Sequence, residues 1–137
     1  MPSRDPLSRV RKICLALPEA TEKEAWGEPT FRVGDKLFAM ISNNHHGDGI
    51  VGIWCKAPPG VQEMLVEAAP KRFFRPPYVG HKGWIGVRLD VAVDWEELAE
   101  LLADSHRMTA PKRLLAKLER AAAAPPAAKA RARRAAK

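Results

Sequence analysis

Between Arg72 and Trp84 the chain packs four aromatic residues, two prolines, two glycines and three fixed cations into thirteen positions. Pro76 and Pro77 each fix φ, and Gly80 and Gly83 permit tight or left-handed turns, so the segment is expected to turn sharply and hold a rigid shape. Aromatic rings beside Arg72, Arg75 and Lys82 suit stacking on a flat partner as well as anchoring a core. The expectation is a rigid, partly cationic surface feature, which by itself names no reaction.

The 137 residues are enough for one domain with a real core and too few for two well-buried ones. Apolar residues make up 46% and charged residues 28% of the chain, and no apolar run approaches the roughly 18 residues of a membrane span, so a soluble protein without a membrane partner is expected. Arg4, Asp5, Arg9, Arg11 and Lys12 interrupt the apolar positions of the N-terminus, which therefore lacks the pattern of a secretory leader; a cytoplasmic location follows. Cys14 and Cys55 read as two reduced, buried thiols rather than a disulfide framework.

The formal net charge of +7 is unevenly spread. Lys129, Arg131, Arg133, Arg134 and Lys137 lie beyond Ala124, leaving 18 basic against 16 acidic residues before them. The expected folded domain is 1–120, followed by a tail over 121–137. The end of that tail, Pro125 to Lys137, contains only Pro, Ala, Lys and Arg, with no large apolar group to offset the entropy of ordering it, so it is expected to be disordered when free. Such a tail either binds polyanions through counterion release or serves as a solubilising extension.

Leu7, Val10, Cys14 and Leu17 recur at helical spacing until Pro18. Phe31 and Val33 alternate with polar neighbours, Gly34-Asp35 suits a two-residue hairpin turn, and Leu37 to Ile41 returns as its partner. Ser42 to Gly49 is a loop, and Ile50 to Cys55 a more buried strand. Pro58, Pro59 and Gly60 open a short helix in which Val61, Met64, Leu65 and Ala68 share a face. Trp84 to Leu89 forms another strand, to which Phe73–Arg75 and Tyr78–Val79 could pair as a hairpin or wing. Asp94 and Glu97 match a capping box for a helix carrying Trp95, Leu98, Leu101, Leu102 and Ser105, and a last helix runs from Pro111 through Leu114, Leu115 and Leu118.

The run Trp26-Gly27-Glu28-Pro29-Thr30-Phe31-Arg32-Val33-Gly34-Asp35-Lys36-Leu37-Phe38-Ala39 resembles the MmcQ/YjbR-like proteins. So do Trp54-Cys55-Lys56, Pro76-Pro77-Tyr78-Val79-Gly80 with Gly83-Trp84, and Trp95-Glu96-Glu97-Leu98. The resemblance covers roughly residues 7 to 118. It implies an α+β domain related to the CyaY-like (frataxin) fold, an antiparallel sheet covered by helices, and a DNA-binding role through two wing-like hairpins.

For such a role, phosphate contacts come first. Arg32 and Lys36 would serve the first wing, and Lys71, Arg72, Arg75 and Lys82 the second. Tyr78 or His81 could stack on bases, while Phe73 and Trp84 face inward. Equally, the aromatics could all be core and the cations a solvated rim. No helix gathers Arg, Asn and Gln on one face, so binding to nucleic acid, DNA in the first instance, is expected to be weakly sequence-selective and salt-sensitive. The alternative is a protein-interaction module.

An enzyme is a weaker rival. His45, His46 and Asp48 in one loop are its best support, but no second Cys/His pair lies at ligand spacing, and Cys55 beside Lys56 ends an apolar run. No phosphate loop or nucleophile triad is present, so neither catalysis, metal nor cofactor is expected. Iron handling, suggested by the frataxin-like fold, fits poorly with Arg9, Arg11 and Lys12 on the first helix, although Glu19, Glu22, Glu24 and Glu28 cluster after it. A monomer is expected.

Overall fold

Asp5 opens the first helix with its carboxylate: Oδ1 accepts from the Leu7 amide at 3.2 Å and Oδ2 from the Ser8 hydroxyl at 3.1 Å. Pro6 takes the first turn, where its missing N–H is not required. The computed structural model describes residues 5–43 and 49–122. Within them this helix, α1 (Pro6–Leu15), buries Val10 and Cys14. The His45/His46/Asp48 loop, weighed as support for an enzyme, and the Pro125–Lys137 tail lie outside the described residues.

Six strands make one antiparallel sheet: β1 (Thr21–Ala25), β2 (Glu28–Val33), β3 (Lys36–Asn43), β4 (Val51–Cys55), β5 (Phe73–Phe74) and β6 (Ile85–Arg88), in spatial order β1-β2-β3-β4-β6-β5. The β2–β3 hairpin turns at Gly34 and Asp35, with φ of 57° and 67°, the left-handed pair that a two-residue turn requires. Strand β1 was not expected, because four of the five residues in Thr-Glu-Lys-Glu-Ala are exposed and no apolar alternation marks it. Its pairing with β2 holds it in place.

A bulge decides which side chains face which way. Phe31 lies opposite Ala39, but the next residue, Arg32, lies opposite Leu37, so Phe38 is an extra residue in β3. Phe38 and Ala39 consequently join one buried cluster, while Leu37 and Met40, three apart, meet in another.

The larger cluster lies between one face of the sheet and the helices. Phe31, Val33, Ile41, Ile53, Cys55, Phe73, Ile85 and Val87 meet Val10 and Cys14 of α1, Leu98, Leu101 and Leu102 of α3 (Trp95–Thr109), and Leu114 of α4 (Lys112–Ala122). Asp94 caps α3 as expected, accepting from the Glu97 amide at 3.1 Å, but Glu97 turns away to bind Arg72. His106 is buried in the last turn of α3, edge-on to Phe38 with ring centroids 5.5 Å apart, and its Nε2 lies 2.7 Å from the Pro18 carbonyl oxygen. That bond ties α3 to the segment after α1.

The short helix α2 (Val61–Ala68) presents a different face from the one expected. Met64 is 59% exposed, and the fully turned-in side chain is Gln62. A polar residue is favoured there because its amide donates to the carbonyls of Gly80, at 2.8 Å, and Trp84. A further correction concerns Tyr78 and Val79. They form no strand but a turn leading into one 3₁₀ turn, Gly80–Lys82, so the second wing is a compact loop rather than a β-ribbon.

Candidate functional site

The sheet face away from the helices carries its own apolar cluster. Met40, Trp54 and Trp84 are buried there, with Leu37, Phe74 and Val79 packed against them. In β4 the neighbours of Trp54, Ile53 and Cys55, belong to the helix-side core, so simple alternation turns the indole to the opposite side. Gly52 and Gly86 leave room for Phe74: a Cβ on Gly86 would collide with its ring and one on Gly52 would stand 3.3 Å from it.

Above this cluster opens a cavity of about 550 Å³ lined by Trp26, Leu37, Met40, Trp54, Tyr78, Val79 and Trp84. Its size falls in the roughly 300–1,000 Å³ range of small-ligand pockets. Two of its rings come from exposed turns: Trp26 is 69% and Tyr78 67% exposed. Both have left-handed backbone, with φ of 54° and 66°, a conformation costing a non-glycine residue roughly 1–2 kcal/mol. Strain of this kind persists where surrounding structure fixes it, and such positions recur in ligand clamps. Sequence reasoning singled out Tyr78 but read Trp84 as inward; it is indeed buried, yet on the far side of the sheet from Phe73.

The register places three lysines, two of them expected, around one end of this cavity. Lys36 enters β3 beside Leu37, Lys56 follows Trp54 by two residues, and Lys82 precedes Trp84 by two. The Lys56 amide donates to the Phe38 carbonyl, continuing the ladder, so Lys56 shares the face of Trp54. Burial lowers the Lys56 pKa, and the charges of Lys36 and Lys82 lower it further, a sign that both lie near Lys56. None of these three lysines joins an ion pair among the described residues. Lys56 was not among the expected site residues; its position two residues after Trp54 on a strand is the signal that could have found it.

The remaining candidates divide. His81 is exposed on the 3₁₀ turn next to Lys82. Arg75 is exposed, and its side chain crosses Gly80, where an added Cβ would stand 2.6 Å from Arg75 Cγ. Arg32 is half-buried, its Nε donating to Thr30 Oγ1 at 3.3 Å, and lies across the hairpin from Leu37. Lys71 and Arg72 sit at the other end of β5, where the Arg72 carbonyl accepts from the Arg88 amide. Arg72 also binds Glu97 and lies over the Phe73 ring at 4.8 Å, so it is engaged with the fold instead of standing free as expected. Lys36 of the first expected wing and Lys82 of the second thus each lie near Lys56, whereas Arg72 is turned to Glu97.

Other candidate chemistry disperses. Glu19 binds Arg113 through both oxygens at 2.8 and 3.1 Å, Glu22 binds Arg11 at 2.9 Å, and Glu28 accepts from the Asn43 amide at 2.7 Å. Among the described residues, no three His, Cys, Asp or Glu side chains converge as a metal would require. Burial pushes the Cys55 thiol up to about 11 and the Cys14 thiol well above its ordinary value, with the neighbouring cysteine adding to the rise at Cys14. Both are therefore protonated thiols at neutral pH, unsuited to nucleophilic attack. No helix among the described residues is long and apolar enough to cross a membrane.

The crystal structure of Deinococcus radiodurans protein DR2400, described as a DUF419 domain, is similar to this chain. It superposes with a TM-score of 0.65 at 26% identity, over 77% of this chain and 79% of that one. None of the curated proteins matches the chain. The YjbR family model matches residues 15–108, which span β1 to β6 and nearly all of α3, including every residue lining the aromatic cavity. On that match the chain belongs to the YjbR family.

Proposed function

We propose that this protein binds nucleic acid, in the cytoplasm, through phosphate contacts at the end of the sheet where Lys36, Lys56 and Lys82 gather. The observation that carries the reading is the register that brings Lys36 and Lys82 to the same end of the sheet as Lys56, whose pKa both charges lower, with no carboxylate paired to any of the three among the described residues. Like charges held together repel, and a polyanion relieves that repulsion while releasing its own counterions. Arg75 extends the cationic rim along the neighbouring loop, where His81 adds an exposed ring, and the basic tail adds affinity that is indifferent to sequence. Protonated, buried thiols favour a binding role over a catalytic one.

Titration of a fluorescent DNA at several salt concentrations tests this. Lys36→Ala/Lys56→Ala/Lys82→Ala is expected to weaken binding at least tenfold and to reduce the slope of log affinity against log salt by roughly 2–3, one phosphate contact per lysine. Arg72→Ala should leave that slope unchanged, because its guanidinium is held by Glu97. Removing the residues after Ala124 measures the tail alone. If only that truncation weakens binding, the lysine end of the sheet is not the interface.

A further inference from the structure

We infer that the aromatic cavity is a seat for unpaired bases, so that the preferred partner is a single strand. The inference rests on the nucleic-acid reading above and adds which form of the polymer is bound. Trp26 and Tyr78 stand as exposed rings at the mouth, and Trp54, Trp84 and Met40 form the floor. Every base has a flat π face suited to such surfaces, whereas a base inside a duplex is already stacked and cannot enter.

The charges select among occupants of an aromatic site. Aromatic walls also attract quaternary ammonium groups, but Lys36, Lys56 and Lys82 beside the lining residues Leu37, Trp54 and Trp84 would repel a cation. The same lysines suit a ligand whose ring is neutral and whose linker is anionic. A base with its phosphodiester matches both parts, the ring over the cavity and the phosphate toward the rim. The β2–β3 hairpin and the Gly80–Trp84 loop flank this arrangement, and Gln62 fixes the second of them through the Gly80 and Trp84 carbonyls.

The test compares a labelled oligothymidylate with a duplex of equal length, by anisotropy at fixed salt, using the full chain. Single-stranded DNA is expected to bind at least tenfold more tightly and to quench tryptophan fluorescence. Trp26→Ala and Tyr78→Ala, both at exposed turns, should each lower single-strand affinity roughly tenfold and leave duplex affinity unchanged. Lys36→Ala/Lys56→Ala/Lys82→Ala should weaken both forms. Equal binding of the two forms, with the ring variants indistinguishable from the parent, would overturn the base-seat inference and leave phosphate binding standing. No binding of either form even at low salt would remove both. Sedimentation of the free protein supplies a separate check: a dimer that Trp26→Ala converts to monomer would mean that a second copy fills the cavity, and the inference fails.

Discussion

Tyr78 and Trp26 each combine a left-handed backbone with an exposed ring, so two effects can be separated at one position. Tyr78→Gly is expected to be about 1 kcal/mol more stable than Tyr78→Ala, since only glycine adopts the turn without a Cβ penalty. The two variants should nonetheless lose the same single-strand affinity, because both lack the ring; urea titration and anisotropy on the pair check this. Gly86 shows the opposite constraint. Gly86→Ala would drive a methyl group into the Phe74 ring and is expected to cost about 1–3 kcal/mol, the usual range for overpacking. The signal at both positions was present in the sequence only as composition. The two prolines announce a turn, but Tyr78 after them reads as strand and its positive φ does not follow from residue type, and nothing near Gly86 in the chain names Phe74 as its neighbour.

Among the elements, α2 and the loop after β5 are coupled through one side chain. Gln62→Leu keeps similar bulk but takes this donor from the Trp84 carbonyl and leaves the Gly80 carbonyl with the Gly83 amide alone, at a cost of about 1–3 kcal/mol for a buried acceptor. The loop carrying Tyr78, His81 and Lys82 should then exchange its amide hydrogens faster while α3 stays protected, which hydrogen-exchange mass spectrometry would resolve. Equal protection in parent and variant would show that Gln62 does not hold the loop. Elements with an apolar period were legible before any coordinates: α1 from Val10 and Cys14, β4 from its apolar run, α3 from Asp94 and its leucines. Strand β1 was not, because an exposed edge strand needs only backbone pairing and leaves no alternation to read. The face of α2 was misread because it was drawn from the spacing of Val61, Met64, Leu65 and Ala68 alone, whereas Gln62 is buried by virtue of two bonds. The aromatic cavity was hidden for a related reason. Trp26, Trp54 and Trp84 lie far apart in the chain and meet only through strand register, and the β3 bulge that sets Leu37 beside Met40 has no marker in the local pattern.

At the scale of the whole molecule, the sheet divides two chemistries, a helix-covered core on one side and an aromatic, lysine-rimmed opening on the other. The core side sets an alkaline limit to stability. Cys55 titrates at about 11 in the folded state against an ordinary value of 9.0, and Cys14 is raised in the same direction, in both cases chiefly by burial. Below pH 9 both states keep their protons and the thiols do not affect the balance. Above it the unfolded chain releases protons that the folded chain retains, so stability falls as pH rises toward 11, by about 1.4 kcal/mol per pH unit for each such group. Acid acts in the other direction: Glu19, held low by its bonds to Arg113, and Asp90, held low by Arg88, favour the folded state until pH falls through their folded values. Urea midpoints from pH 8 to 11 for the parent and for Cys55→Ala isolate the thiol contribution. The variant starts less stable because of the space it leaves, yet its decline above pH 9 should be shallower than the parent's. Parallel curves would mean that the folded protein accommodates a thiolate at this position, and that the packing of β4 against α3 is looser than the complete burial of Cys55 implies.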